Sequence, residues 1–274
     1  MLLELFRGLR RRAPASAIDL YLDLLRDCLG NRIHDDDLDL LHGSFVRDAA
    51  GKLMSSQAAP VDEAQKRLGT IWPSRAHTMI GLPRLNNIRQ CAEAALKDGV
   101  AGDFLEAGVW RGGACIFMRG ILKAHGVRNR TVWVVDSFEG LPPADPAKYP
   151  KESPIPFHLY ADLAVSLEQV RENFARYGLL DEQVRFLKGW FRDTLPTAPI
   201  EKLAVMRLDG DLYESTMDTL VPLYPKLSSG GFAIIDDYNL VQACNDAVDD
   251  FRRERGIAEQ ITLIEGGGAF WRKA

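Results

Sequence analysis

The N-terminal quarter of the chain has the hydrophobic spacing of amphipathic helices. Apolar side chains recur every three or four residues from Ile18 to Leu29, with acidic residues between them, and again from Leu85 to Ala95. A polar stretch around residues 75–78 separates the two patterns. We therefore predict a helical N-terminal extension over about residues 1–100.

From Asp103 onward the pattern changes to short apolar runs that alternate with helical segments. The predicted strands are 104–106, 131–136, 184–187, 203–209 and 232–236, and the helices between them are 114–124, 167–177 and 243–255. Strands that are apolar on both faces indicate a parallel sheet covered by helices on each side. Residues 260–271 predict two more strands about a glycine-rich turn, which form an antiparallel edge. The pattern predicts a Rossmann-like α/β fold in one domain, 1–274, whose core spans about 101–274.

Composition excludes several classes of protein. Of the 274 residues, 46% are hydrophobic and 26% charged, which is typical of a globular protein, and the net charge of −4 offers no basic field to nucleic acid or to an anionic membrane. No apolar stretch approaches the roughly 18 residues of a membrane span. Four cysteines without a CxxC pair indicate free thiols in a reducing compartment, so we expect a cytoplasmic protein. The cluster Arg7, Arg10, Arg11 and Arg12 is interpreted as a solvated N-terminal turn.

A glycine-rich segment, EAGVWRGG at 106–113, lies between the first core strand and its helix. Glycine lets the backbone approach a ligand closely, and a helix N-terminus carries partial positive charge. The spacing differs from the GxGxxG of dinucleotide enzymes. With Glu106 at the strand end, the segment suits a cationic ligand that carries an amino acid, or it is a tight turn that packing requires.

Asp136 ends the second core strand. A carboxylate at this position can accept hydrogen bonds from both hydroxyls of an adenosine ribose. It can equally cap the turn that follows. Together with the glycine-rich segment, Asp136 indicates a cofactor that contains adenosine.

The most specific pattern is the set of acids at two further strand ends. Asp209 and Asp211 follow the fourth core strand, and Asp236 and Asp237 follow the fifth. The carboxyl ends of neighbouring parallel strands meet at one edge of the sheet, where such folds bind ligands. Crowded carboxylates repel one another, and oxygen donors without His or Cys select Mg²⁺, or Mn²⁺, over zinc and copper. Helix capping accounts for one Asp at each end, whereas the doubled acids favour a metal site.

These segments resemble the macrocin O-methyltransferase family, which comprises magnesium-dependent sugar O-methyltransferases of antibiotic tailoring. The similarity runs from about Leu20 to the C-terminus and rests on TMIG at 78–81, EAGVWRGG at 106–113, VDSFEGLP at 135–142, LDGDLYEST at 208–216 and GGFAIIDDY at 230–238. The resemblance implies a class I methyltransferase fold, S-adenosylmethionine as cofactor and a small-molecule hydroxyl as acceptor, such as a sugar of a glycosylated natural product.

The resemblance also assigns roles to individual residues. It places Glu106 and Gly108 by the methionine part of the cofactor, Asp136 by its ribose, and Gly189 and Trp190 near its adenine, and Ser137 is also expected to bind the cofactor. It assigns the metal to Asp209, Asp236 and Asp237, with Asp209 also in contact with the cofactor and acting as the catalytic base. Met79 and Ile80 are expected to close over the cofactor, and the N-terminal helices to provide a homodimer face. One departure is Pro222, which predicts a kink or an early end in the helix after Asp211.

The segment 142–162 contains six prolines and several aromatic residues. Loops of this length in compact domains are functional or disordered. We interpret it as a lid or an acceptor-binding wall, with a solvated insertion as the alternative, and name His158, Tyr160 and Asp211 as candidate contacts to the acceptor. His158 could equally be a surface residue, and Asp211 a helix cap or a support for the metal ligands.

Three alternative functions remain at this stage. A catechol or another phenol with adjacent oxygens suits the acid cluster as well as a sugar does. A nicotinamide-dependent oxidoreductase also needs glycines and a strand-end acid, although GxGxxG and a Ser-Tyr-Lys relay are absent from the sequence. The third alternative is a non-catalytic module that binds a metal or a nucleotide.

Overall fold

The computed structural model describes residues 16–34, 38–48, 50 and 52–274. The arginine cluster at 7–12 lies outside the described residues. Within them, no helix is long and apolar enough to cross a membrane. All four cysteines are unpaired, and three of them, Cys91, Cys115 and Cys244, are buried.

The N-terminal extension contains helices and a hairpin. Its elements are α1 (Ala17–Leu29), β1 (Leu38–Arg47), β2 (Leu53–Pro60), α2 (Glu63–Leu68) and α3 (Leu82–Lys97). The antiparallel pair β1–β2 corrects the prediction of an entirely helical extension. The Asp48 carboxylate accepts hydrogen bonds from the N–H groups of Ala50 (2.9 Å) and Lys52 (2.8 Å), so this side chain links the end of β1 to the residue before β2.

A seven-stranded sheet forms the centre of the molecule. Its strands are β3 (Asp103–Ala107), β4 (Val132–Asp136), β5 (Val184–Lys188), β6 (Leu203–Leu208), β7 (Leu227–Ile235), β8 (Thr262–Leu263) and β9 (Ala269–Arg272). The order across the sheet is β5-β4-β3-β6-β7-β9-β8, with β3 to β7 parallel and β8 and β9 antiparallel, as the sequence predicts. The strand order reverses between β3 and β6, and this switch point is where open α/β sheets bind ligands.

Helices cover both faces of this sheet. They are α4 (Gly113–Ala124), α5 (Leu167–Arg176), α6 (Phe191–Thr194), α7 (Tyr213–Leu223) and α8 (Gln242–Arg255), with short 3-10 turns at Phe157–Leu159, Ala161–Leu163, Leu195–Thr197 and Tyr224–Lys226. One apolar layer includes Leu22, Ile88 and Phe117, and the other includes Phe251 and Trp271. Pro222 lies inside the last turn of α7, and the helix ends at the next residue, Leu223, where a 3-10 turn follows.

Candidate active site

A cleft of about 390 Å³ opens at the carboxyl ends of β3, β4, β6 and β7. Most of the residues that the sequence predicts for the site line this cleft: Met79, Ile80, Glu106, Gly108, Asp136, Ser137, Trp190, Asp209, Asp211, Asp236 and Asp237. Gly189 lies next to it, where its N–H donates to the Asp136 carbonyl oxygen at 2.9 Å. His158 and Tyr160 do not line the cleft, and their contact with an acceptor stays a prediction.

The turn after β3 requires glycine because two strand ends meet there. Gly108 has a φ of +86°, and a Cβ at this position would lie 1.7 Å from the carbonyl oxygen of Asp209. Trp110 also has a positive φ, of +47°, and its indole N–H donates to the Asp162 carbonyl at 2.8 Å. The turn therefore brings the β3 backbone directly against the acid-bearing end of β6.

The Asp136 carboxylate holds this turn in place. It accepts hydrogen bonds from the backbone N–H groups of Val109 (2.7 Å) and Phe138 (2.7 Å). Burial raises the pKa of Asp136, and these hydrogen bonds partly offset the rise. The capping role considered from the sequence is thus present, while the contact with a ribose stays a prediction.

Beneath the cleft, one buried arginine contacts acids from three strand ends. Arg207, which is 1% exposed, pairs with Glu106 of β3, with Asp209 at 3.0 Å and with Asp236 after β7. Burial raises the pKa of Glu106 to about 7, although Arg207 and the thiol of Cys115, 2.9 Å from the carboxylate, favour the ionised form. A buried charge of this kind is tolerated only when it is paired.

Asp209, Asp211 and Asp237 form the acid cluster. One carboxylate oxygen from each lies within 4.8 Å of the others, a spacing that could hold a metal ion. The Asp211 N–H donates to the Asp237 carboxylate at 2.8 Å, and Asp211 has a positive φ of +55°. Burial and mutual repulsion raise the pKa of Asp209 to about 6 and that of Asp211 to about 8, and raise the pKa of Asp237 strongly. A bound cation would favour the ionised carboxylates and so oppose these shifts.

Asp236 lies beside this cluster, but its two oxygens have other partners. One pairs with Arg207 and the other with Arg84 of α3, whose guanidinium also donates to the Gly69 carbonyl. Neither arginine was predicted from the sequence. A signal was available for Arg207, because it is the one charged residue in the otherwise apolar run 203–208. The role of Asp236 as a metal ligand stays a prediction.

The N-terminal extension and the proline-rich loop form the walls of the cleft. Leu41, Gly69, Thr70, Trp72 and Thr78 line it from the extension, together with Met79 and Ile80. Leu141, Pro142, Ile155, Phe157 and Leu163 line it from the loop region, and we call these five residues the apolar wall. Tyr160 packs edge-on against Trp72, with ring centroids 5.3 Å apart, so the two walls touch.

Comparisons with known proteins agree with this geometry. The family model described as Macrocin-O-methyltransferase (TylF) matches residues 18–273. The chain is 51% identical to mycinamicin III 3''-O-methyltransferase of Micromonospora griseorubida, over 96% of this chain and 99% of that protein. It is 53% identical to 8-demethyl-8-(2,3-dimethoxy-alpha-L-rhamnosyl)-tetracenomycin-C 4'-O-methyltransferase of Streptomyces olivaceus, over 93% of each.

A solved structure shows the same fold. The O-methyltransferase NovP superimposes with a TM-score of 0.83 at 49% identity, and the match covers 94% of this chain and 99% of that chain. Similarity of this extent confirms the resemblance seen in the sequence motifs and the class I methyltransferase fold. The chain therefore belongs to the macrocin O-methyltransferase family and is an S-adenosylmethionine-dependent O-methyltransferase.

Proposed function

We propose that this enzyme transfers a methyl group to a sugar hydroxyl of a glycosylated natural product, with a divalent cation bound at the acid cluster. The observation that carries the proposal is the position of Asp209, Asp211 and Asp237 within 4.8 Å of one another, in the cleft that Gly108 and Asp136 also line. The acceptor class is supported by the tetracenomycin relative, whose name specifies a rhamnosyl group.

For the cofactor, we infer that S-adenosylmethionine lies along the end of β3 and β4. Glu106 lines the cleft at the end of β3, and we propose it for the methionine ammonium, which would join Arg207 and the Cys115 thiol around this carboxylate. Asp136 and Ser137 line the cleft at the end of β4, where a ribose is expected. Trp190 provides an apolar ring for the adenine, next to Gly189. Met79 and Ile80 line the same cleft from the extension and are placed to cover the bound cofactor.

For the cation, the donor set fits Mg²⁺, with Mn²⁺ as the alternative, because every available ligand atom is a carboxylate oxygen. The ligands we propose are Asp209, Asp236 and Asp237, where Asp236 would exchange one of its arginine partners for the cation. Asp211 lies within the acid cluster and can contribute a further carboxylate. A bound divalent cation supplies Lewis acidity that makes the acceptor hydroxyl more acidic. The raised pKa values of Asp209 and Asp211 indicate carboxylates that are poorly compensated by the arginines alone.

The residues of the chain then perform the proton transfer. Arg207 orients Asp209 by donating to one of its oxygens at 3.0 Å. We propose that Asp209, besides contributing to the cation site, takes the proton of the acceptor hydroxyl as the base. Bound S-adenosylmethionine would supply the methyl group to the deprotonated acceptor oxygen, with S-adenosylhomocysteine as the second product. The walls of the cleft contribute by orienting the acceptor and excluding water.

Of the three alternative functions, two lose their support and one stays open. Family membership leaves the nicotinamide-dependent and non-catalytic hypotheses without support. A catechol or phenol acceptor keeps the same chemistry and is separated from a sugar by experiment. We also propose a homodimer located in the cytoplasm, supported by Leu20 and Leu24, which are 62% and 58% exposed on α1, and by the unpaired cysteines.

An acceptor panel tests the proposed function. Methyl transfer from S-adenosylmethionine is followed by mass spectrometry with mycinamicin III, the tetracenomycin rhamnoside and a catechol, in Mg²⁺ and in EDTA. We expect methylation of a glycosylated acceptor that EDTA abolishes, and we expect Asp209→Asn to lose turnover by about 10²-fold or more while still binding S-adenosylhomocysteine. Full turnover in EDTA or in Asp209→Asn would contradict the proposal. Methylation of the catechol alone would show that the acceptor is a phenol and not a sugar.

A further inference from the structure

The helix that follows the acid cluster receives its N-terminal cap from a distant loop. The first N–H groups of a helix have no partner within the helix, and the residue at the cap position of α7, Leu212, has no side chain that can accept a hydrogen bond. The Glu152 carboxylate accepts instead, with one oxygen 2.9 Å from the Tyr213 N–H and the other 3.0 Å from the Glu214 N–H. Its negative charge also suits the positive end of the helix dipole.

Two lysines of the same loop strengthen this attachment. Lys148 pairs with Glu214 at 2.7 Å, and Lys151 pairs with Asp250 of α8 at 2.6 Å. The pair with Lys151 lowers the pKa of Asp250 to about 2, and the Tyr213 hydroxyl donates to the same carboxylate at 3.0 Å. Three loop residues within five positions thus contact the first turn of α7 or its neighbour α8.

This attachment joins two parts of the cleft that come from separate segments. On one side of Glu152 in the chain are Leu141 and Pro142, and on the other are Ile155, Phe157 and Leu163, all members of the apolar wall. On the helix side, Tyr213 comes two residues after Asp211 of the acid cluster. A cap that fixes the loop to α7 therefore fixes the distance between the apolar wall and the acids.

We propose that Glu152 is a positioning residue for methyl transfer. By capping α7 it keeps the apolar wall at a fixed distance from the acid cluster, and so it sets the affinity for the acceptor. The effect on the acceptor rests on the proposed function. The effect on the loop does not, because it follows from the hydrogen bonds alone. Glu152 contacts neither reacting group and acts through the position of the wall.

Hydrogen–deuterium exchange of the full chain, with S-adenosylhomocysteine and Mg²⁺ present, tests the structural part. In Glu152→Ala we expect the amides of 142–163 and of Tyr213 and Glu214 to exchange about tenfold faster than in the wild type, with Glu152→Gln intermediate because its amide oxygen still accepts one bond. The affinity for S-adenosylhomocysteine should stay within about twofold, since the cofactor-binding turn is anchored by Asp136.

The matched control is Ser16→Ala, which removes the side-chain cap of α1, a helix with no residue in the cleft. It should lower the melting temperature comparably and leave exchange in 142–163 unchanged. When the assay uses the panel compound that the wild type methylates, Glu152→Ala should raise the KM for this acceptor about tenfold at nearly constant kcat.

Three results would each overturn the proposal. The amides of 142–163 exchange in Glu152→Ala at the wild-type rate, Glu152→Ala loses affinity for cofactor and acceptor equally, or Ser16→Ala shows the same change in KM as Glu152→Ala. If Glu152→Ala does not fold, Glu152→Gln is judged by the same exchange criterion. If the wild type methylates nothing in the panel, the proposed function fails, while the exchange comparison still decides whether Glu152 positions the loop.

Discussion

At the scale of single residues, the site is a balance between buried acids and a few arginines. Arg207 pairs with Glu106, Asp209 and Asp236, and Arg84 also pairs with Asp236. Two guanidinium groups therefore pair with three carboxylates. The sequence predicted the acids because doubled aspartates at strand ends are conspicuous. It did not predict the arginines, because the pairing between Arg84 and Asp236 spans 152 positions in the chain.

The excess of carboxylates over arginines in the site predicts how cation binding depends on pH. The pKa values of Asp209 and Asp211 are raised from 3.8 to about 6 and about 8, so the folded protein without a cation holds protons that the unfolded chain has released. Its stability should therefore fall as the pH rises from about 4 through 8. Because a cation binds the ionised carboxylates, the rise in melting temperature that Mg²⁺ produces over EDTA should be larger at about pH 8.5 than at about pH 5.5.

Differential scanning fluorimetry at these two pH values measures the effect. Asp209→Asn is the control, since it removes one titrating ligand and should flatten the dependence. An equal Mg²⁺ effect at both pH values would show that the cation does not bind at these carboxylates.

At the scale of elements, hydrophobic periodicity predicted the strands and helices of the core to within a few residues, because buried strands and amphipathic helices impose their periods on the sequence. The β1–β2 hairpin escaped prediction because the sequence of these two strands shows no regular alternation of apolar and polar residues. The proline-rich segment was expected to form a lid or an acceptor-binding wall, and Pro142, Ile155 and Phe157 of this segment line the cleft. His158 and Tyr160 do not line it, and their contact with an acceptor stays a prediction.

The turn between β3 and α4 yields a prediction at this scale. Gly108→Ala should destabilise the protein by several kcal/mol, because the new Cβ would overlap the Asp209 carbonyl oxygen, 1.7 Å away, in addition to about 1–2 kcal/mol of left-handed backbone strain. Gly126→Ala is the control: Gly126 also has a positive φ, of +66°, but a Cβ there would have no described atom within 4 Å beyond its chain neighbours. Urea unfolding measures both variants, and equal losses would contradict the close contact between the two strand ends.

At the scale of the whole molecule, the cleft depends on topology. Parallel strands bring Glu106, Asp136 and Asp209 to one edge although they are distant in sequence, and this much follows from the predicted fold. Trp72 and Arg84 of the extension also line the cleft. The hydrophobic pattern of the sequence did not predict this, because local periodicity carries no information about how an extension packs on the core. The division into a single domain with an extension stays a prediction.

The most direct test of the account is calorimetric titration with S-adenosylhomocysteine in Mg²⁺, with NAD as a parallel ligand. We predict saturable one-to-one binding to the wild type, about tenfold or more weaker binding to Asp136→Ala, and no binding of NAD. Failure of the folded wild-type protein to bind S-adenosylhomocysteine, or binding to Asp136→Ala as tight as to the wild type, would contradict the assignment of the cleft as the cofactor site.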